Sequence, residues 1–251
     1  MVSTSLVDNQ SVRRADKRRV AEVLRRQVLD GTWSSRVLPP EPALALELGS
    51  TRSTVRDALD LLRAEGLVER LPGVGTVVVD TKHVHGLDRL RGLAESFHGR
   101  GAVRNEVRVL SLISAPRAVQ TRLGLEPDED VLYVERLRCL DGVPVSLHLT
   151  YLVLDIAREI VGRDLAANDL LGLIEEATGQ RLGHADLLLE AVGADAHTAA
   201  VLGTTRGAPL LMLERLVHLD DGRPVELEFI RFRGDRLSVR ATTYRDSEGA
   251  T

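Results

Sequence analysis

The chain of 251 residues, 43% apolar and 28% charged, is long enough to bury two ordinary cores and does not have the composition of a disordered polymer. No apolar run approaches the ~20 residues of a membrane span, and residues 1–9 lack the basic start and apolar stretch of a secretory signal, so a cytoplasmic location is expected. The lone Cys139 excludes an internal disulfide and a thiolate metal cluster.

The net charge of −4 conceals an uneven split. Residues 1–82 hold 13 Lys and Arg against 11 Asp and Glu, a balance of +2, and the remainder holds 20 against 26, a balance of −6. An anionic polymer would therefore meet the N-terminal part. There, Asp16 reads as the cap of a first helix over residues 17–30, with Val20, Val23, Leu24, Gln27 and Val28 on one face and Gly31 ending it. After Leu38-Pro39-Pro40, residues 41–48 read as a two-turn helix broken by Gly49. Ser50 and Thr51 cap a third helix over residues 52–65, with Val55, Ala58, Leu59 and Leu62 as its apolar stripe. Two extended runs, 67–71 and 76–79, joined by Pro72-Gly73-Val74-Gly75, form a hairpin. Together these elements make a winged helix-turn-helix.

Several motifs in this region occur in order: Leu-Pro-x-Glu at 38–41, Thr51-Arg52-Ser53-Thr54-Val55-Arg56, Glu65-Gly66-Leu67-Val68 and Gly73-x-Gly75-Thr76. On these residues the segment resembles the DNA-binding domain of the GntR family. The family usually has Arg after the Glu of the first motif, where this chain has Pro42, so a DNA contact made there by other members is missing. A recognition helix enters the major groove with its N-terminal residues nearest the bases, where a guanidinium can grip guanine. Arg52 and Arg56, one turn apart, suit that role, while Thr51, Ser53 and Thr54 suit phosphates and Gly73 and Gly75 allow the wing backbone a close approach. Gly73-x-Gly75 precedes a strand and lacks a third glycine, which excludes a nucleotide-binding loop.

Residues 80–92 read as a polar linker, and its His83 and His85 lack a third metal ligand, so neither metal nor cofactor is expected. Beyond it the chain repeats itself at an offset of 79 to 80 residues: Val131-Leu-Tyr-Val-Glu135-Arg136-Leu137 with Asp141-Gly142-Val-Pro144 recurs as Leu210-Leu-Met-Leu-Glu214-Arg215-Leu216 with Asp221-Gly222-Arg-Pro224. Each copy is a hairpin preceded by a helix ending at Gly124 or Gly203, and the two should join in one antiparallel sheet. Asp169 should cap a further helix ended by Gly179. Arg136 and Arg138 share a strand face with Val134 and Leu140; on the return strand His148 and Thr150 share a face, and the repeat equates Glu228 with His148. Two inward arginines require an anion, either a bound ligand or the internal carboxylates Glu226 and Glu228.

Residues 93–245 resemble the effector-sensing (UTRA) domain of the HutC branch of GntR regulators, a chorismate-lyase-like fold. The resemblance rests on Ala115-Pro116, Leu123-Gly124-Leu125, Glu135-Arg136-Leu137-Arg138, Asp221-Gly222-x-Pro224-Val225-Glu226 and Arg233-Gly234-Asp235-Arg236. It implies an α+β protein: residues 1–79 as winged helix-turn-helix with an N-terminal extension, 80–92 as linker, and 93–245 as a sensing and dimerisation domain. It further implies a homodimer on a palindromic operator, released by a small anion at Arg136, Arg138, His148, Thr150, Asp169 and Glu228. Where phosphosugar-binding members carry Phe-Thr-Glu and an inner-helix Ser, this chain has Leu93-Ala94-Glu95 and Asp169, and His148 replaces a frequent carboxylate. The hydroxyls that would hold a phosphate are missing, which widens the effector from a phosphorylated sugar to a phosphonate or an organic acid. The rival classes are a chorismate-lyase-like enzyme for a carboxylated substrate, for which no nucleophile-base set is legible, and a DNA-bending protein, which would not need an acidic sensing domain.

Overall fold

The computed structural model describes residues 9–79, 82–96 and 101–244. Residues 1–8, Asp80 and Thr81 of the expected linker, and Arg245 lie outside the described residues. The chain divides into two units, Met1–Lys82 and His83–Thr251.

In the first unit, α1 (Asn9–Leu29), α2 (Glu41–Glu47) and α3 (Arg52–Ala64) precede a hairpin of β1 (Val68–Leu71) and β2 (Gly75–Val78). Val20, Leu24 and Val28 of α1, Leu44 of α2, and Val55, Ala58, Leu59 and Leu62 of α3 close one buried core, as helical spacing requires. Two details of α1 differ from expectation. The helix begins before Asp16, so this residue is no cap; its carboxylate takes Arg19 at 2.6 Å and the Ser50 hydroxyl at 3.1 Å. Val23 is 39% exposed and Ala21 occupies the buried face instead, a small side chain that lets α1 approach its neighbours closely. Gly73 and Gly75 have φ of 78° and 114°, values the β1–β2 turn demands and side chains resist.

The second unit runs β3 (His83–Gly86), α4 (Leu93–Ser96), β4 (Val103–Ser114), α5 (Arg117–Leu123), β5 (Asp130–Leu140), β6 (Val143–Val153), α6 (Leu154–Ile160), α7 (Leu170–Thr178), β7 (Leu182–Gly193), α8 (Ala196–Leu202), β8 (Pro209–Leu219), β9 (Pro224–Arg233) and β10 (Leu237–Arg240). Six strands form one antiparallel sheet in the order β4-β5-β6-β9-β8-β7. The repeat is visible in it: hairpins β5–β6 and β8–β9 meet along β6–β9, and their leading helices α5 and α8 both end on left-handed glycines, Gly124 and Gly203. The inner strands are buried along nearly their whole length, because α8 packs Ala199 and Leu202 on Leu137 and Leu147 of one face while α7 covers part of the other.

Residues 83–86, expected as solvated linker, form a strand. Paired in parallel with β10, they bring His85 to 5% exposure. Four consecutive residues of β10 satisfy their backbone groups, which outweighs their polar composition.

Candidate functional site

On the first unit, Thr51 caps α3, its hydroxyl accepting from the Thr54 amide at 3.2 Å and lying 2.9 Å from Ser53 Oγ and 2.8 Å from Thr54 Oγ1. The hydroxyls expected to meet phosphates thus first fix the helix start. Arg52 and Arg56 project from the exposed front of α3, and neither is paired with a carboxylate among the described residues. Their neighbours behave otherwise: Arg19, Arg26 and Arg63 hold Asp16, Asp30 and Asp60, and Arg25 holds Glu22 and Glu65. Two unpaired guanidinium groups one turn apart leave this face electrostatically open.

On the second unit, strand alternation aims Arg136 and Arg138 of β5, Ser146, His148 and Thr150 of β6, Glu226 and Glu228 of β9 and Arg215 of β8 at one sheet face. Glu228 is the hub. One carboxylate oxygen accepts from His148 Nδ1 at 2.8 Å and from the Thr150 hydroxyl at 2.9 Å, and the other accepts from Arg215, which also reaches Glu226 at 3.5 Å. Because an ionised carboxylate only accepts, the His148 proton sits on Nδ1, and Nε2 accepts from Ser146 Oγ at 2.9 Å.

The two predicted arginines part company here. Arg138 donates to Asp169 at 2.6 Å, so Asp169 stands at the N-cap position of α7 yet spends its carboxylate on a guanidinium and makes no side-chain cap bond. Gly92 permits this: a Cβ on it would lie 2.0 Å from Asp169 Oδ2. Arg136 is 0% exposed, and none of its Nε, Nη1 and Nη2 atoms has a hydrogen-bond partner among the described residues; its nearest carboxylate oxygen, on the already occupied Glu228, is 3.7 Å away.

The titration of the cluster follows from this wiring. Burial and Arg138 pull Arg136 down to about 10. Burial opposes charge on Arg215, Asp169 and Glu228, but Glu228 and Glu226 outweigh it for Arg215, Arg138 outweighs it for Asp169, and Arg215 with His148 outweighs it for Glu228, so all three are held charged. Burial and the Glu228 charge raise Glu226 to about 7. Burial lowers His148 to about 3, and burial with Arg215 lowers His85 to about 4. A narrow cleft lined by Arg136, Arg138, His148, Asp169, Arg215, His85 and Phe232 opens from this cluster. It shares His85, Arg91 and Arg215 with a wider groove of about 590 Å³, counted to its open mouth.

Residues 99–238 match the UTRA domain and residues 16–78 the bacterial regulatory proteins of the gntR family. The chain belongs to the UTRA-domain regulators of GntR type. The transcriptional repressor NagR of Bacillus subtilis is 28% identical over 87% of this chain and 90% of its own, and the histidine utilization repressor of Pseudomonas putida is 27% identical over 78% and 79%. The crystal structure of PhnF from Mycobacterium smegmatis, 28% identical, superposes with a TM-score of 0.65 over 90% of this chain and 99% of that one. These relatives are transcription regulators, and the chorismate-lyase-like enzyme reading is set aside. Among the described residues no helix is long and apolar enough to cross a membrane.

Within this UTRA unit, strand register and the placement of α7 bring Arg138, His148, Thr150, Asp169 and Glu228 together with Arg136. Arg215, His85 and Gly92 were missed, and Glu226 was named only as a possible internal partner of the arginines. The repeat carried the signal for Arg215, which is the counterpart of Arg136 in the second copy.

The two neutral histidines set a pH dependence with a definite sign. Their folded values lie below the ordinary 6.5, so the stability they allow is complete above pH 6.5 and is lost as pH falls toward 4 and 3. Glu226, raised from 4.5 to about 7, keeps a proton in the fold and opposes that loss between these values. From pH 6.5 to 4.5 we expect the unit to lose stability as pH falls, because the buried histidines outnumber Glu226. Denaturant unfolding across this range should give a shallower fall for His148→Gln and a steeper fall for Glu226→Gln; unchanged slopes in both would contradict the wiring.

Proposed function

We propose that the protein is a cytoplasmic transcriptional repressor that grips a palindromic operator as a homodimer, through one α3 per half-site, and releases it when a small organic acid enters the arginine cleft. The observation that carries the sensing half is Arg136, a wholly buried guanidinium without a hydrogen bond. A buried cation with unmet donors costs several kcal/mol, and a bidentate anion relieves that cost. Ligand binding is thereby favoured at one atom group and shifts the population of states that fit the operator.

The charge count supports a monoanionic effector. Arg136, Arg138 and Arg215 face Asp169 and Glu228, which are held ionised, while burial favours the neutral form of Glu226 and both histidines. About one positive charge is left over, which a monoanionic carboxylate neutralises and a doubly charged phosphorylated sugar or phosphonate exceeds.

For assembly, the sheet edges supply the support: β4 exposes Leu110 and Leu112 at 42% and 60%, and β7 exposes Leu187, Leu188 and Leu189 at 41%, 54% and 43%. Unpaired apolar edges of this kind are normally covered, and a second copy would do so. For DNA, Arg52 and Arg56 are the free cations nearest the α3 start, with Thr51, Ser53 and Thr54 beside them and Gly73 and Gly75 in the wing.

Replacing Arg52 or Arg56 by Ala should cost about 1–3 kcal/mol of specific operator binding and relax base preference in a competition assay. Wild-type affinity in both variants would contradict the assignment of α3.

Arg136→Met should fold with a stability equal to wild type or higher by up to about 4 kcal/mol, bind operator, and show neither release nor a rise in melting temperature with a panel of monocarboxylates and phosphonates. Arg215→Met strands Glu228 and Glu226 and should lose about 3–5 kcal/mol. An Arg136→Met protein that is destabilised yet still released by an acid would refute the sensing role.

A further inference from the structure

On the reverse face of the same sheet, the β7 edge gathers a second set of polar donors. His184 and Asp186 lie two apart on β7 and so share a face, and pairing sets His218 of β8 directly opposite His184. Arg215 pairs with Leu187, one step out of phase, and therefore points to the cleft side. The two imidazoles are stacked with centroids 4.4 Å and planes 4° apart, and the donor atoms of His184, Asp186 and His218 all lie within 4.8 Å of one another.

Two further observations single this cluster out. Both histidines stand at irregularities of pairing: the β7–β8 register shifts between Leu182 and His184, and the β8–β9 register shifts between Val217 and His218. Bulges re-aim the side chains beside them, and Gly183 is obligatory at this one, since a Cβ there would lie 2.8 Å from the Leu219 carbonyl oxygen. In addition, His218 Nδ1 is buried and has no hydrogen-bond partner among the described residues.

We propose that His184, Asp186 and His218 bind a borderline divalent cation, Zn²⁺ fitting best. Two imidazole nitrogens and one carboxylate oxygen are a zinc donor set, whereas Ca²⁺ and Mg²⁺ take oxygen alone. Zn–N bonds of about 2.0–2.1 Å require the stacked rings to turn inward about their Cβ–Cγ bonds, which the exposure of His184 permits. Three protein ligands leave a fourth position for water or a donor from another molecule. The ion would staple the edge strand β7 to β8 and stabilise the folded chain by mass action.

Titration of the chelator-treated full chain with Co²⁺ tests this. The expected result is one equivalent bound per chain, a visible d–d absorption without thiolate charge transfer, displacement by Zn²⁺, and a higher melting temperature with either ion. His184→Ala and Asp186→Asn, both at exposed positions, should keep the metal-free melting temperature and weaken binding by more than the roughly 10–100-fold that loss of a supporting residue costs. His218→Ala should do the same to binding, and His197→Ala, an exposed histidine on α8, should change nothing. Absence of saturable binding at micromolar ion, or full affinity in both His184→Ala and Asp186→Asn, would overturn the site.

Discussion

The carboxylate of Glu228 is the group around which the sensing unit is organised. Its two oxygens are consumed by His148, Thr150 and Arg215, three side chains delivered by register alone from the two strands, β6 and β8, that flank β9. Once it is saturated, it comes no nearer to Arg136 than 3.7 Å, although this arginine sits opposite His148 in the ladder. The repeat sharpens the contrast. Arg136 and Arg215 occupy equivalent places in two copies of one hairpin, yet the second has two carboxylates and the first has none within hydrogen-bond distance. Symmetry of the backbone with asymmetry of the charges is what leaves one half of the cluster tightly paired and the other half without a hydrogen bond among the described residues.

The same logic separates the arginines of the N-terminal unit. Arg19, Arg25 and Arg26 on α1 and Arg63 at the end of α3 are tied to carboxylates one turn away or across the helix pair, while Arg52 and Arg56, at the end of α3 that a winged helix presents to DNA, have no carboxylate partner among the described residues. Its overall balance of only +2 therefore conceals two neighbouring charges that no carboxylate among the described residues neutralises.

Much of this was legible in the sequence, for physical reasons that differ from element to element. The helices of the first unit follow from apolar spacing and from glycines that stop them, and the central hairpins follow from the repeat. The edge strands β4 and β7 were not found, because a strand with neither face fully buried has no reason to alternate, and their patterns are exposed almost throughout. His85 was assigned to a solvated linker because four residues pairing with a segment some 150 positions later leave no local trace. Asp169 was read as a helix cap, which its position supports, but a charge-assisted bond to buried Arg138 outcompetes neutral amides. Both Arg136 and Arg138 were singled out by alternation; which of them is unpaired depends on α7, which sequence spacing does not place against β5.

The central claim is that the Arg136 guanidinium, without a hydrogen bond among the described residues, is the seat of effector recognition. The most direct measurement is a crystal structure of the protein with the carboxylate that raises its melting temperature most. The account predicts the ligand carboxylate within hydrogen-bond distance of the Arg136 guanidinium, with Glu228 still holding Arg215 and His148. A bound acid seated elsewhere, with Arg136 still lacking a partner, would contradict it.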